Sequence, residues 1–244
     1  MDIQKKRYFD LIIYSMKKCL LTILFLVACI TIIAQSPEEL IGKVRAKLEK
    51  VNDYEAKGKM KTNVVFIKAP VANVKVYYKK PNKLRINNES GISFIPKGSV
   101  NINLNTIFIN NTGFDIIDMG KEEKTNLRIL KLLPKDEKSD VVLSTVYIDE
   151  VQFLIKKAKT TTKENGTYEL EMAYNKYASY GLADKIIFRF NTKDYKLPKG
   201  ITFDYDDGSK KEPKTDKLKD KKGEVEITYT SYLINKGVPD SVFD

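Results

Sequence analysis

Between residues 74 and 79 the chain alternates, with Val74, Val76 and Tyr78 set against Lys75, Tyr77 and Lys79. A period of two gives a strand one apolar face and one polar face. Pro81 has no N–H to donate and Asn82 accepts a turn, so a corner follows; Leu84, Arg85 and Ile86 then resume as a strand. Upstream the period changes. Leu40, Ile41, Val44, Leu48 and Val51 recur at three and four, one apolar stripe on a helix over 36–52. Ser36 as N-cap, Pro37 in the first turn and Glu39 three residues on from Ser36 mark its start.

Everything after the helix reads as strand and turn. Residues 55–67 place Met60, Val64 and Phe66 on one face, and 72–80 and 83–87 form the corner. A short strand over 91–95 carries Phe94. In 100–109, Val100, Ile102, Leu104 and Phe108 alternate with Asn101, Asn103 and Asn105. Further strands are expected over 127–133, 141–149, 151–162, 167–174, 185–191 and 201–205. Asn165-Gly166 between two of them is the strongest short hairpin signal in the chain. Residues 206–223 are rich in Lys and Asp and read as a mobile loop. Val225, Ile227, Tyr229 and Ser231 make the last strand. The count is ten or eleven, antiparallel because the connections are short.

The first 34 residues do not belong to this pattern. Met16-Lys17-Lys18 and the apolar run 19–34 have the layout of a secretory signal peptide. Translation is expected to start at Met16, with cleavage between Ala34 and Gln35 and a single domain over 35–244. The rival is a lipobox, Leu26-Val-Ala-Cys29, which would leave Cys29 lipidated and the protein anchored. Removing 1–34 takes five of the 43 basic residues and two of the 32 acidic ones, leaving 38 against 30. It also removes both cysteines, Cys19 and Cys29.

With no His, no Trp and no thiol in the mature chain, imidazole bases, Ser-His and Cys-His nucleophiles and His or Cys zinc sites are absent. No catalytic residue, metal or cofactor is assigned. Asp149 and Glu150 are adjacent on a strand and would point to opposite faces. Asp204-Tyr-Asp206-Asp207-Gly208 begins like a calcium loop but lacks the later Glu. The basic residues are scattered, apart from Lys79, Lys80 and Lys83 at the corner and Lys156-Lys157, and export from the cytoplasm argues against nucleic acid. Anionic lipid surfaces or acidic partners suit the positive balance better.

The corner Lys80-Pro-Asn-Lys-Leu-Arg85 resembles the Arg-Pro-Asn corner of the LolA-type periplasmic lipoprotein carriers of Gram-negative bacteria. Lys47-Leu-Glu-Lys-Val-Asn-Asp-Tyr54 is similar to the end of that family's first helix, and Asn105-Thr-Ile-Phe-Ile109 to one of its strands. The resemblance implies an open, strongly curved antiparallel sheet, an unclosed barrel, with the N-terminal helix across its concave face. It implies a monomeric, non-catalytic carrier whose apolar cavity takes the acyl chains of lipoproteins. The residues expected to line that cavity are Leu40, Val44, Met60, Val64, Phe66, Val76, Tyr78, Phe94 and Phe108. Lys80 stands where the carriers have an Arg that holds the lid shut, with Arg85 as a second gating candidate; Lys lacks the planar five-donor fork. The implied partners are acylated lipoproteins or lipids, an inner-membrane ABC-type release complex and an outer-membrane acceptor. The alternative on the same fold is a lipid- or protein-sensing regulatory module of the RseB-like type.

Overall fold

The computed structural model describes residues 9, 12–18, 35–64, 67–68, 71–81, 83–88, 113–164, 166–191 and 222–243. Residues 1–36 form a unit of their own, in which 12–18 are helical and exposed; residues 37–244 form the other. No helix among the described residues is long and apolar enough to cross a membrane.

Helix α1 (Pro37–Leu48) starts directly after Ser36. Glu38 and Glu39 in its first turn and Arg45 and Lys47 in its last complement the helix dipole, and Lys43 pairs with Glu39 at 2.8 Å. Its inward stripe is the one the spacing predicts: Leu40, Ile41, Val44 and Leu48 are buried, as is Val51 just beyond the helix.

The strands are β1 (Asp53–Val64), β2 (Ile67–Lys68), β3 (Ala72–Lys79), β4 (Lys83–Asn88), β5 (Phe114–Lys121), β6 (Arg128–Pro134), β7 (Val141–Asp149), β8 (Leu154–Thr162), β9 (Gly166–Ala173), β10 (Lys185–Asn191) and β11 (Lys222–Ile234). They form one antiparallel sheet in the order β4-β3-β1-β11-β10-β9-β8-β7-β6-β5, with β2 folding back on β1. Among the described residues the sheet does not close: β4 and β5 stand at its two ends.

Alternation decides its two faces. Inward stand Ala56 and Met60 of β1, Val74 and Val76 of β3, Leu130 and Leu132 of β6, Leu170 and Met172 of β9, and Phe188 and Phe190 of β10. They share one core with α1. Outward stand most of the charges. Gly58 sits where β1 and β11 approach: a Cβ there would lie 2.7 Å from the Thr228 carbonyl oxygen. The register between these strands slips at Lys57/Gly58. That bulge shifts the phase of β11, so Tyr232, and not the expected Ser231, continues the inward row of Val225, Ile227 and Tyr229.

Other boundaries move for local reasons. The expected strand 55–67 ends at Val64, because β2 pairs back with Val64 opposite Ile67. β5 has no counterpart in the sequence reading. Its alternation is short, Phe114 and Ile116, and breaks where Asp118-Met119-Gly120 leaves the register, with Gly120 at φ 80°. Residues 151–153 form a turn instead of opening β8, since the Asp149 carboxylate accepts the N–H groups of Val151 and Gln152 at 3.0 and 2.9 Å. Glu150 therefore lies beyond β7, not on it. The expected strands at 91–95, 100–109 and 201–205, the turn at 110–113 up to its last residue and the loop 206–221 lie outside the described residues; Lys222 and Gly223 already belong to β11.

Candidate functional site

The apolar face of the sheet is covered by α1, and the way that cover is fastened defines the site. At the centre, Leu40 and Val44 of the helix meet the same core as Met60 and Val76, each at most 3% exposed. Tyr78 is fully buried next to them in β3, its ring centroid 5.3 Å from that of Tyr54. Five of the nine expected lining residues are thus brought to one interior. Val64 is the last residue of β1; Phe66, Phe94 and Phe108 lie outside the described residues. Among the described residues, helix and sheet leave little space at the C-terminal end of α1. A cleft between Val44, Lys47 and Leu48 of the helix and Phe153, Leu154, Ile155, Tyr174 and Gly181 has a volume of about 10 Å³, barely the space of one water.

The fastenings are polar and gather at the C-terminal end of α1. A helix end leaves its last carbonyls without intrahelical partners; here two side chains from the sheet reach the residues that end it, and one side chain of the helix reaches a turn of the sheet. Lys80, at the end of β3, donates from Nζ to the Glu49 carbonyl at 2.7 Å and to the Asn52 side chain at 3.1 Å. Its backbone N–H bonds the Asn52 carbonyl at 2.8 Å. Asn235, at the end of β11, donates from Nδ2 to the Lys50 carbonyl at 2.8 Å and accepts the Asn52 N–H at 2.7 Å. Lys47 reaches from the helix to the Gln152 carbonyl at 2.5 Å in the β7–β8 turn. Burial lowers the Lys47 pKa, with Lys50 adding to the same direction.

Arg85 does not join this group. It pairs with Tyr77 in the β3–β4 register, on the face opposite Val76 and Tyr78, and its Nε donates to Asn87 at 3.1 Å. The other corner lysines are engaged elsewhere: Asp240 accepts Lys79 at 3.0 Å and Lys83 at 2.7 Å, which holds its carboxyl below the usual range.

Below the helix end lies a group of tyrosines. Tyr232 is within 4.8–5.3 Å, centroid to centroid, of Tyr177, Tyr229 and Tyr54. Its hydroxyl donates to the Ala183 carbonyl at 2.7 Å, and the Tyr174 hydroxyl to that of Ile155 at 2.9 Å. Burial pushes the phenols of Tyr54, Tyr174, Tyr229 and Tyr232 upward.

Lys47, Asn235 and Tyr232 were not singled out from the sequence. Asn235-Lys-Gly237 is a turn signal, and both Asn235 (φ 56°) and Gly237 (φ 85°) are left-handed, but nothing local says what the turn would meet. Asp149 and Glu150 meet cations, Lys156 at 3.7 Å and Lys121 at 2.5 Å, and no group of three or more acidic, His or Cys residues suited to a metal occurs among the described residues.

No family model matches the chain, and no curated protein matches it. Solved structures do. A LolA superfamily protein from Nitrosomonas europaea aligns over 86% of this chain and 98% of its own, at 11% identity and a TM-score of 0.53. A DUF1329 family protein from Desulfovibrio piger aligns over 85% and 96%, at 12% identity and a TM-score of 0.50. A domain described as an outer membrane lipoprotein-sorting protein domain, from Vibrio parahaemolyticus, aligns over 84% of this chain and 95% of its own, at 11% identity and a TM-score of 0.47. Among the described residues, an open sheet with one covering helix agrees with the first two alignments: this chain has the same fold as the LolA superfamily protein from Nitrosomonas europaea.

Proposed function

We propose that the protein is a non-catalytic carrier that takes acyl chains of lipoproteins, or free lipids, between α1 and the sheet and delivers them toward the outer membrane. The observation that carries this is the Lys80–Glu49 bond, a polar catch at one end of an otherwise apolar cover. Magnitudes favour an exchangeable cover. Leu40, Ile41, Val44 and Leu48 contribute roughly 1.5–3 kcal/mol each through burial. Lifting the helix without replacement would cost on the order of 10 kcal/mol, and a long acyl chain, at about 0.8 kcal/mol per methylene, restores a similar amount. The helix therefore opens when lipid takes its place, with Leu40, Val44, Met60, Val76 and Tyr78 as the lining and Val64, Phe66, Phe94 and Phe108 as further candidates. The gate is Lys80; Arg85, on the other face, is left out of it.

In this reading residues 1–34 are a signal peptide, the mature protein starts at Gln35 and works as a monomer in the periplasm, and donor and acceptor are an ABC-type release complex and an outer-membrane receptor. The test is uptake of a fluorescent apolar dye, its displacement by a long-chain fatty acid, and native mass spectrometry of protein taken from the periplasm. Uptake and displacement are expected, with an acylated species retained. Dye binding absent in the parent and in a variant with α1 loosened would make the interior plain core and end the proposal. N-terminal sequencing that found a blocked, diacylated Cys29 would turn the soluble shuttle into a tethered acceptor.

A further inference from the structure

On the outward face from β8 to β11, opposite charges meet across strands. Lys185 bonds Glu226 at 2.8 Å, Arg189 bonds Glu171 and Glu224 at 2.8 Å each, and Glu169 lies 3.9 Å from Lys157 and 3.7 Å from Lys159. Like charges side by side weaken a sheet and opposite ones support it, so folding alone accounts for this half. β1 breaks the rule. Lys57, Lys59 and Lys61 take three successive outward positions and all are exposed. Among the described residues none of the three side chains has an ion-pair or hydrogen-bond partner. Lys57 stands directly opposite another lysine, Lys75 of β3. The residue opposite Lys61 is Glu226, whose carboxylate is held by Lys185. Glu55 is the one acid next in the row. At about 3.4 Å per residue the three ammonium groups form a line about 14 Å long.

We propose that this face of β1 docks on an anionic phospholipid membrane, with Lys57, Lys59 and Lys61 set against headgroup phosphates. The surroundings favour a membrane over an acidic protein. A protein interface is anchored by aromatic or aliphatic side chains at its centre, and the residues opposite the row are Ser231, Thr228 and Glu226 on one side and Lys75 and Asn73 on the other. None supplies an anchor. A headgroup layer requires only an unpaired row of cations. The inference stands apart from acyl binding, because capture of a lipid in the apolar interior would depend neither on headgroup charge and salt nor on these three outward lysines.

The experiment is co-sedimentation of the mature protein with phosphatidylglycerol-containing vesicles and with pure phosphatidylcholine vesicles, at low and high salt. Binding to the anionic vesicles alone, weakening with salt, is expected. Lys57→Gln/Lys59→Gln/Lys61→Gln should lower partitioning roughly a hundredfold, about fivefold for each lysine removed, and Lys59→Gln alone about fivefold. Lys157→Gln/Lys159→Gln, which removes lysines already paired with Glu169, should bind like the parent. Failure of the parent to bind anionic vesicles, or equal binding by the triple variant, overturns the proposal. Retention on immobilised polyglutamate that the triple variant loses, without vesicle binding, would also overturn it and give the face to an acidic protein.

Discussion

Asn235 binds the connection between α1 and β1 at two points, donating to the Lys50 carbonyl at 2.8 Å and accepting the Asn52 N–H at 2.7 Å. It does so from a left-handed backbone, φ 56°, a conformation that Asn tolerates better than most residues. Two costs can therefore be separated. Asn235→Gly loses the side-chain bonds and keeps the backbone, and should cost about 1–2 kcal/mol. Asn235→Ala loses both and should cost about 1 kcal/mol more. Urea unfolding of the two variants checks the order; equal losses would mean that the backbone conformation contributes nothing.

Gly58 is required by space. A methyl group there meets the Thr228 carbonyl oxygen at 2.7 Å, and its neighbours are backbone atoms, which cannot rotate away. Gly58→Ala should destabilise the protein by about 1–3 kcal/mol through overpacking, or roughly 2–4 °C in Tm per kcal/mol at this size. The control is Gly42→Ala, on α1, where an added Cβ meets nothing within 4 Å. It should stabilise by about 0.5–1 kcal/mol.

The tyrosine group predicts an alkaline limit. Burial raises the folded pKa of Tyr54, Tyr174, Tyr229 and Tyr232, so in each the protonated form belongs to the folded state. Their contribution is complete below the unfolded phenol pKa of about 10 and is lost as pH rises from there toward the folded values. Tyrosinate absorbance should rise in two stages, the exposed phenols first and these four together with unfolding. Tyr232→Phe, which also removes the bond to Ala183, should lower stability at neutral pH by about 1–2 kcal/mol. It should flatten the alkaline fall. A single smooth titration with the fold intact would contradict the burial of these rings.

Much of this architecture was readable because alternation and helical spacing are local. The stripe on α1, the corner at residues 79–83 and the strands 141–149 and 185–191 depend on side chains a few positions apart, and the structure has them where the pattern puts them. The bulge that turns Tyr232 inward depends on β1 and β11, some 170 residues apart in the chain. Nothing near Tyr232 announces it. The same holds for Asn235 and Lys47, whose partners are backbone carbonyls and, for Asn235, a backbone N–H, groups that almost every residue has. Arg85 shows the opposite limit: its neighbour Pro81 makes the corner legible, yet its register opposite Tyr77 sends it to the wrong face for the helix.

Lys80 gives the decisive test of the lid. Its ammonium holds the Glu49 carbonyl and the Asn52 side chain at the point where α1 ends. Each such bond is worth about 0.5–1.5 kcal/mol net, more with a charged donor. A catch of that size changes exchange rates strongly without deciding whether the chain folds. Lys80→Arg keeps the charge and adds donors in a planar fork, so the closed cover should be held longer and dye should enter and leave more slowly. Lys80→Leu removes the donors, so dye should enter faster; the added apolar area should also lengthen its stay once bound. Stopped-flow uptake and displacement would show the two entry rates moving in opposite directions from the parent, with thermal stability shifted by no more than about 2–4 °C per kcal/mol lost. If both variants exchange dye at the parent's rate, the bonds at Glu49 and Asn52 tie down a strand end and do not gate the interior.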